Sequence, residues 1–402
     1  MAEGLLSGVK VVEYCSFIAG PYCTKLFADL GAEVIKIEKP DGDDARKRGP
    51  FLGDIPDPEL SGLFLYLNTN KMGVSLSLES ATGRDIFKKL IADTDILVED
   101  RFPGEMEKLG LSYEVLKNIN SSLIMASITP FGQYGPYRDY KSYYLNTYHA
   151  SGAGYVLPAG SPNAEREPLR GGGYVGECDI GLSASVGILG ALYWRRAGGT
   201  GQHIDISKQE AEMALERVNI VRYYELGRNP NRYELTHVRD ALVRCRDGGY
   251  VMVVLYPDKQ WKGLSEGLDN PPWTKDAKFN TVKARESNYA EMAAHLQEEA
   301  LKYDTQDLFN RVQSKGTACA FFCSAEQVFN SPQMKARKFF IEVEHPAAGT
   351  LMYPGHPYIF SKTPSRKHKG APLQGQHNES VYCNRLGYTK QDLVKLREAG
   401  DI

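Results

Sequence analysis

Apolar and polar positions in the first 130 residues follow two alternating patterns. Short β-branched apolar runs, such as VKVVEYC (9–15) and EVIKIEKP (33–40), predict buried strands. Between them, AGPYCTKLFADLGA (19–32) has apolar residues at helical spacing, and Gly31 predicts a C-terminal cap. This β-α-β order within about 30 residues predicts a right-handed crossover between parallel strands.

The same alternation continues along the chain. It predicts further strands at 73–78, 95–100 and 121–129, with helices at 80–94 and 104–118. We therefore expect a doubly wound α/β domain with helices on both faces of a parallel sheet. The first strand–helix turn is IAGP, so the dinucleotide-binding pattern G-x-G-x-x-G is absent there. The fold class alone does not indicate a bound dinucleotide.

The pattern changes after residue 129. Residues 129–180 are rich in Gly, Pro and Tyr, which is typical of a long functional loop. An apolar run then predicts a buried helix at 179–199 that ends at Gly198 and Gly199. A strand at 201–207 and a second long helix at 208–227 are expected to follow.

A polar, turn-rich linker near residue 228 predicts the start of a smaller α+β unit. Its first feature is a predicted β-hairpin at 241–256, with Asp247 and Gly248 at the turn. Helical segments follow to about residue 325, and a helix at 389–400 is expected to end the chain.

Composition narrows the class of protein. The chain has 402 residues, 24% of them charged, which allows two domains. Its formal net charge of −2 lacks the basic excess of a nucleic-acid-binding protein. Seven cysteines without a C-x-x-C pair predict neither a disulfide framework nor a metal site, and favour a reducing cytoplasm. We also expect neither a signal peptide nor a membrane span.

One stretch concentrates candidate chemistry: PLRGGGYVGECDIGLSASVGILGALYW (168–194). Three glycines precede two carboxylates, Glu177 and Asp179, and the predicted helix follows. Asp179 lies just ahead of the apolar run, where aspartate is a favoured N-cap. The positive end of the helix dipole would stabilise either carboxylate in its ionised form.

Several motifs resemble the family III CoA-transferases (CaiB/BaiF), a group of formyl-CoA transferases, carnitine CoA-transferases and α-methylacyl-CoA racemases. They occur in order along essentially the whole chain: GVKVVEYCSFIAGPYCTKLFADLGAEVIKIEKPDGDD, NTNKMGVSLSL, DILVEDRFPG, ITPFGQYGPY, GLSASVGILGALYWRRAGGTGQHIDIS, PQMKARKFF and GQHNESVYCNRLGY. The resemblance implies a Rossmann-like large domain formed by residues 1–227 and 330–402. It also implies a small α+β domain inserted at 228–329, and two subunits that interlock like linked rings.

The resemblance implies an enzyme that moves CoA from an acyl-CoA to a free carboxylic acid, without a metal. An enzyme carboxylate attacks the thioester carbonyl and forms a mixed anhydride, which the acceptor acid or the CoA thiolate resolves. Glycines suit such a site because substrate and main-chain N–H groups can approach closely and stabilise the oxyanion.

The family nucleophile is an aspartate four residues before a glycine. Counting back from Gly181 reaches Glu177, and three interpretations stay open. Glu177 acts with one extra methylene, Asp179 has taken over the role, or the chain is a non-catalytic subunit of a heteromeric transferase, as in the aromatic-succinate type. Glutamate moves the reacting oxygen by about an ångström, and such misplacement can cost about 100-fold in rate.

The resemblance also implies a set of CoA-contacting residues. It includes a turn against the adenine and pantetheine, cations near the phosphates, and a loop over the CoA chain. The family more often has asparagine and an aromatic residue at the positions of Asp100 and Arg101. The set is Phe17, Ile18, Ala19, Lys39, Asn70, Lys71, Asp100, Arg101, Lys108, Lys141 and Tyr143.

Further residues are candidates for the acyl side. Arg166 and Arg170, beside Gly172 and Gly173, are suited to the second carboxylate of a dicarboxylic acceptor. His149 is a candidate acid or base, since a histidine–aspartate pair moves protons in the racemase branch. A racemase is thus the second alternative function, after the non-catalytic subunit. The expected partners are acyl-CoA, a carboxylic acid, and a second copy or a sister subunit, with no nucleic acid and no membrane.

Overall fold

The computed structural model describes residues 4–155, 157, 167–215, 217–229, 240–255, 257–363 and 368–402. The chain divides into two compact units. The larger contains the residues up to Leu157, Pro168–Gly227 and Lys338–Ile402, and the smaller contains Arg228–Arg337.

The larger unit is built on a six-stranded sheet in which every neighbouring pair is parallel. The strand order is β3-β2-β1-β4-β5-β6, so the direction of winding reverses between β1 and β4. The predicted parallel α/β sheet is confirmed. The strands are β1 (Lys10–Tyr14), β2 (Glu33–Glu38), β3 (Met72–Ser75), β4 (Ile96–Glu99), β5 (Ile124–Thr129) and β6 (Gln202–Ser207).

Helices cover both faces of this sheet because neighbouring residues of a strand point to opposite sides. On β1, Val11 packs into the apolar cluster shared with the first and seventh helices, and Val12 packs into the cluster on the opposite face. The helices up to residue 226 are α1 (Ala19–Asp29), α2 (Gly62–Leu67), α3 (Ala81–Ile91), α4 (Glu105–Lys108), α5 (Tyr113–Leu116), α6 (Tyr144–Ala150), α7 (Val175–Arg196), α8 (Lys208–Leu215) and α9 (Arg217–Leu226).

Two predicted segments, 104–118 and 129–180, differ from the structure. The predicted helix at 104–118 is two short helices, α4 and α5, because Gly110 adopts a left-handed conformation (φ 68°) between them. The predicted helix at 208–227 is helical over its described residues, Lys208–Leu215 (α8) and Arg217–Leu226 (α9). The predicted loop at 129–180 contains α6, whose buried Tyr144, Thr147 and Tyr148 give it a packed face.

Helix α7 packs closely against α1. A Cβ atom on Gly181 would lie 2.6 Å from the Ala19 carbonyl oxygen and 3.2 Å from the Cys23 nitrogen, so a larger residue would separate the helices. By length and composition α7 could cross a membrane, but 50% of its most apolar window is buried inside the protein. This burial, against α1 and the sheet, is that of a core helix.

The smaller unit has a three-stranded antiparallel sheet of order β7-β8-β9. The predicted hairpin is confirmed: Arg244 pairs with Tyr250, and Gly248 adopts a positive φ of 86° in the turn. Its elements are β7 (Asp240–Arg244), β8 (Tyr250–Val254), α10 (Asp258–Gly267), α11 (Val282–Ser287), α12 (Tyr289–Ala300), α13 (Thr305–Ser314), β9 (Cys319–Phe321), α14 (Ala325–Asn330) and α15 (Pro332–Ala336).

The C-terminal segment of the larger unit protects the edge strand β3. The Tyr382 hydroxyl donates to the Ser75 carbonyl (2.7 Å), and the Gly73 N–H donates to His377 Nδ1 (3.1 Å). This covers an edge that would otherwise be open to pairing. The segment contains the antiparallel pair β10 (Phe340–His345) and β11 (Gly349–Pro354), a π-helix (Glu379–Arg385) and α16 (Lys390–Glu398).

A buried charge network lies under the carboxyl ends of β1 and β2. Both oxygens of Glu13 are paired, one with Lys36 (2.7 Å) and one with Lys71 (2.8 Å), and Lys36 also lies 2.7 Å from Asp43. Burial disfavours the ionised form of Glu13, but the two ammonium groups outweigh it and hold its pKa at about 2. Asp43 in turn accepts the Phe17 N–H (3.0 Å), so the network supports the turn after β1.

We predict that Glu13→Ala lowers the free energy of unfolding by about 3–5 kcal/mol, because it removes a buried carboxylate from Lys36 and leaves the buried Lys71 ammonium without its counter-ion. Chemical denaturation measures this. As a control, Glu114→Ala removes an exposed pair with Lys117 and should change stability by less than about 1 kcal/mol. Similar losses for the two variants would contradict this prediction.

Candidate active site

Helix α7 begins four residues earlier than predicted, and this moves both carboxylates into it. Tyr174 is the N-cap, so Glu177 lies in the first turn and Asp179 lies further inside. The prediction that Asp179 caps the helix is therefore wrong. The glycine-rich run makes the early start possible, because Gly173 turns the chain with a left-handed φ of 60° directly before Tyr174.

Glu177 forms the central ion pair of the site. Its side chain is 1% exposed, and its two oxygens accept hydrogen bonds from Lys208 Nζ at 3.0 and 2.9 Å. Lys208 is the first residue of α8 and follows β6 directly. The carboxylate is thus held between the start of α7 and the carboxyl end of β6.

Glu212 places a second carboxyl group beside this pair. It lies one helical turn after Lys208 on α8 and is buried, and neither side-chain oxygen has a hydrogen-bond partner among the described residues. Burial and then the negative charge of Glu177 raise the pKa of Glu212 to about 8, against the opposing charge of Lys208. At neutral pH Glu212 is therefore a neutral acid. Burial also raises the pKa of the partly buried Asp179.

Two tyrosines of α6 hold the glycine-rich stretch. The Tyr148 hydroxyl accepts the Gly171 N–H (3.1 Å), and the Tyr144 hydroxyl accepts the Gly176 N–H (3.5 Å). A Cβ atom on Gly176 would lie 2.4 Å from Glu212 Oε1 and 2.7 Å from the Tyr144 ring. Glycine at 176 thus allows α6 and α8 to approach the residue directly before Glu177.

The predicted CoA turn lies next to this site. Phe17, in a left-handed conformation (φ 69°), packs edge-on against Tyr174 with 5.3 Å between ring centroids. Because Tyr174 caps α7, the turn after β1 contacts the helix that carries Glu177. Ile18 and Ala19 are buried where α1 begins, so their side chains face the core.

A cleft of about 150 Å³ lies at the carboxyl ends of β1 and β2. It places the exposed Lys39 near Arg101, whose guanidinium pairs with Asp100 and donates to the Ser16 hydroxyl (3.1 Å). Asp100 also accepts the Ser16 N–H (2.9 Å). The structure therefore brings Lys39, Asp100 and Arg101, three of the predicted CoA residues, close together. They lie near the point between β1 and β4 where the direction of winding reverses, which is the usual ligand position in open α/β sheets.

The other predicted CoA residues are placed differently. The Lys71 ammonium is buried and bonded to Glu13, the Pro21 carbonyl and Asn68, so it belongs to the core and is not presented to a phosphate. Asn70 donates to Asp29 (2.7 Å). The remaining three are exposed and their contact with CoA stays a prediction: Lys108, Lys141 and Tyr143.

Arg170 lies over the glycine-rich stretch. Its guanidinium donates to the Gly173 carbonyl (3.1 Å) and lies 5.4 Å from the Tyr144 ring centroid, and its side chain is exposed, like Gly172 and Gly173. The other predicted arginine, Arg166, lies outside the described residues.

His149 lies on α6, the helix that also carries Tyr144 and Tyr148, and its role as an acid or base stays a prediction. Its ring packs beside Gly154, where an added Cβ would lie 2.1 Å from Nδ1. Tyr144 and Tyr148, from the same helix, contact the glycine-rich stretch.

The sequence interpretation missed Lys208 and Glu212. A signal was present: KQEAE follows a predicted strand directly, and its lysine and second glutamate are four residues apart, which places them on one helix face. The carboxyl end of a parallel strand is where functional side chains are expected. Among the described residues, no group of three or more His, Cys, Asp or Glu side chains could hold a metal ion.

Comparison with known proteins identifies relatives along nearly the whole chain. The profile of CoA-transferase family III matches residues 6–378. The chain is 30% identical over 421 aligned positions to a formyl-CoA:oxalate CoA-transferase from Streptomyces coelicolor, covering 100% of both chains. It is 31% identical over 385 positions to a succinate–glutarate CoA-transferase from Agrobacterium fabrum, covering 94% of each.

A solved structure supports the same relationship. The crystal structure of a CaiB/BaiF family protein from Brucella suis superposes with a TM-score of 0.84 at 29% sequence identity. The superposition covers 95% of this chain and 99% of that one.

We predict that Glu212 makes stability fall with rising pH. The folded chain holds its proton up to about pH 8, whereas the unfolded chain releases it near 4.5, so the proton stabilises the folded state. The free energy of unfolding should therefore decrease as pH rises from about 4.5 to about 8. Glu212→Gln, which has no such proton to lose, should flatten this dependence.

Denaturant unfolding between pH 5 and 9 measures the effect, with Glu210→Gln as the matched control on the exposed face of α8. If the free energy of unfolding of Glu212→Gln changed with pH in the same way as that of the unsubstituted protein, Glu212 would not be the group that holds the proton in the folded state.

Proposed function

The chain belongs to CoA-transferase family III, and on that premise we propose that it moves CoA from an acyl-CoA to a carboxylic acid through an acyl anhydride on Glu177. The observation that carries this proposal is the position of Glu177. It lies in the first turn of α7, after the glycine-rich stretch, and α7 is capped by the tyrosine that contacts the predicted CoA turn.

The surroundings of Glu177 suit a carboxylate nucleophile. Burial removes water from its oxygens, and Lys208 and the N-terminal end of α7 stabilise the charge that attack requires. Lys208 is 19% exposed and has a flexible side chain, so it can move aside when a thioester enters. Main-chain N–H groups of the glycine-rich stretch are candidates to bind the oxyanion.

The proposed reaction balances without a further reagent. A Glu177 oxygen bonds to the thioester carbonyl carbon, the C–S bond breaks, and CoA leaves as a thiolate. The thiolate attacks the Glu177 carbonyl, releasing the donor acid and forming a glutamyl-CoA thioester. The acceptor carboxylate then attacks this thioester, and returning CoA thiolate takes the acceptor's acyl group and frees Glu177.

We propose a dicarboxylic acid as the acceptor. The supporting residue is Arg170, an exposed cation beside Gly173 whose guanidinium can bind a carboxylate with two hydrogen bonds. The names of the relatives support the same class, since oxalate, succinate and glutarate are all dicarboxylates.

A second candidate function is that of a non-catalytic CoA-binding subunit in a heteromeric transferase. The observation that favours it is the 1% exposure of Glu177, whose two oxygens are both occupied by Lys208. The racemase alternative has no comparable support, because no hydrogen bond joins His149 to Glu177 or Asp179 in the part of the chain that the structure describes.

Assembly with a second chain, identical or related, is part of the proposal. Helices α7 and α9 expose large apolar side chains, as is usual for a surface that contacts a partner. They include Val186 (65% exposed), Tyr193 (79%), Trp194 (51%), Val221 (50%) and Tyr224 (89%). We further propose a cytoplasmic location, which the seven free thiols support.

We predict that acyl-CoA and hydroxylamine convert Glu177 to a hydroxamate, because hydroxylamine traps an acyl anhydride. Peptide mass spectrometry locates the label. Glu177→Gln should abolish the label and lower kcat by about 10⁴-fold or more, as for other covalent nucleophiles. Asp179→Asn, the matched neighbouring variant, should keep the hydroxamate label on Glu177 and the kcat of the unsubstituted protein.

A hydroxamate on Asp179 would transfer the nucleophile's role to that residue. A purified chain without label or activity, activated only by a related subunit, would favour the non-catalytic function.

We predict that Arg170→Ala raises the acceptor's KM by about 10- to 100-fold, since it removes charge-assisted hydrogen bonds to the second carboxylate. Steady-state kinetics with a dicarboxylic acceptor measures this, and the KM for acyl-CoA should stay the same. Arg196→Ala, at the other end of α7, is the control. An unchanged acceptor KM in Arg170→Ala would refute the role of Arg170.

A further inference from the structure

Glu177, Lys208 and Glu212 form a unit with one positive and one negative charge at neutral pH. Lys208 pairs with Glu177 at 2.9 Å, whereas Glu212 is protonated and has no hydrogen-bond partner among the described residues. This state fits the resting enzyme. It does not fit the acylated one, because an anhydride on Glu177 carries no charge.

Acylation would therefore leave Lys208 without a counter-ion in a largely buried site. A buried ion whose partner is removed is strongly destabilising. The free-energy cost of leaving Lys208 unpaired would oppose formation of the anhydride, unless another negative charge replaced that of Glu177. Glu212, four residues after Lys208 on α8, is the residue that can supply this charge.

We propose that Glu212 is a positioning residue that becomes the counter-ion of Lys208 when Glu177 is acylated. This inference rests on the proposed function. It assigns to Glu212 a role in stabilising the anhydride that does not require contact with the substrate.

The exchange balances in protons and charge. Glu177 loses its negative charge as its oxygen bonds to the acyl carbon, and the electron pair of the broken C–S bond leaves with CoA. Glu212 releases its proton, which ends on the CoA thiolate, and its carboxylate then pairs with Lys208. The three residues keep a net charge of zero in the anhydride. When the CoA thiol then attacks Glu177, its proton leaves with the donor acid and Glu177 stays uncharged as the glutamyl-CoA thioester. Glu212 regains a proton from solvent when the last step frees Glu177 as a carboxylate.

The geometry supports this exchange. Lys208 and Glu212 are four residues apart on α8, the spacing at which a lysine and a glutamate meet on one helix face. Both Glu212 oxygens are free of hydrogen bonds among the described residues, and one lies against Gly176, next to Glu177 in the chain. The proposal therefore requires Lys208 to turn along one helix face, from Glu177 to Glu212.

The ionisable groups around Glu212 come from three helices. Tyr144 and Tyr148 face it from α6, Glu177 and Asp179 from α7, and Lys208 from α8 itself. Only Lys208 among them is a cation. Burial is the largest cause of the raised pKa of Glu212 and it remains when the charge of Glu177 is removed, but the main opposing charge disappears while the favourable charge of Lys208 stays.

Glu177→Gln tests the exchange without catalysis, because glutamine resembles the uncharged anhydride at that position. Infrared difference spectroscopy detects the carbonyl stretch of a protonated carboxyl, which Glu212→Gln assigns by its loss. We expect the Glu212 band at pH 7 in the unsubstituted protein and its absence at pH 7 in Glu177→Gln. A crystal structure of Glu177→Gln should show Lys208 paired with Glu212. A band that persists in that variant would overturn the proposal.

Kinetics provides the second test. Glu212→Gln should slow anhydride formation by about 100-fold, in the range typical of a lost proton-transfer group, while hydroxylamine still labels Glu177. The rate of the unsubstituted protein should fall above about pH 8, where Glu212 is already ionised, and this decline should vanish in Glu212→Gln. Glu212→Asp should restore part of the rate, and Glu210→Gln should not change it.

The outcomes separate the two proposals. Labelling of Glu177 with an unchanged rate and pH profile in Glu212→Gln would refute only the role of Glu212. Absence of label in the unsubstituted protein would refute the proposed nucleophile, and the infrared experiment would still decide whether Glu212 replaces Glu177 at Lys208.

Discussion

The ion pair between Glu177 and Lys208 is the constraint on which the site depends. A carboxylate that is 1% exposed is tolerated only with a close partner, and here one ammonium serves both oxygens. The pair joins the start of α7 to the end of β6, so it links the glycine-rich stretch to the sheet. Burial, and then the negative charge of Glu177, raises the pKa of Glu212, and Glu177 already supplies the counter-ion of Lys208.

Packing places this pair beside the predicted CoA turn. Gly181 lets α7 lie against α1, and Tyr174 at the start of α7 meets Phe17 at the end of β1. The turn is supported from below by Asp43, a member of the buried charge network of Glu13 and Lys36. Two buried charge clusters therefore lie at the carboxyl-end edge of the sheet, one beneath the turn and one that contains the candidate nucleophile.

Much of the larger unit could be predicted from periodicity alone. Alternating β-branched runs and helical spacing predicted the parallel sheet and α1, because each segment's pattern reflects burial on one or both sides. The start of α7 could not be predicted in this way. The first turn, from Val175 to Cys178, lacks an apolar period of its own, and its helical state depends on Gly173 and on contacts with α6.

The sequence by itself determined the class of fold, the family motifs and the two carboxylates that compete for the role of nucleophile. Only the tertiary structure decided what surrounds them. Lys208 is 31 residues from Glu177 in the chain, and no local pattern relates the two. The parallel sheet brings them together, because the strand that precedes Lys208 ends at the same edge that the first turn of α7 covers.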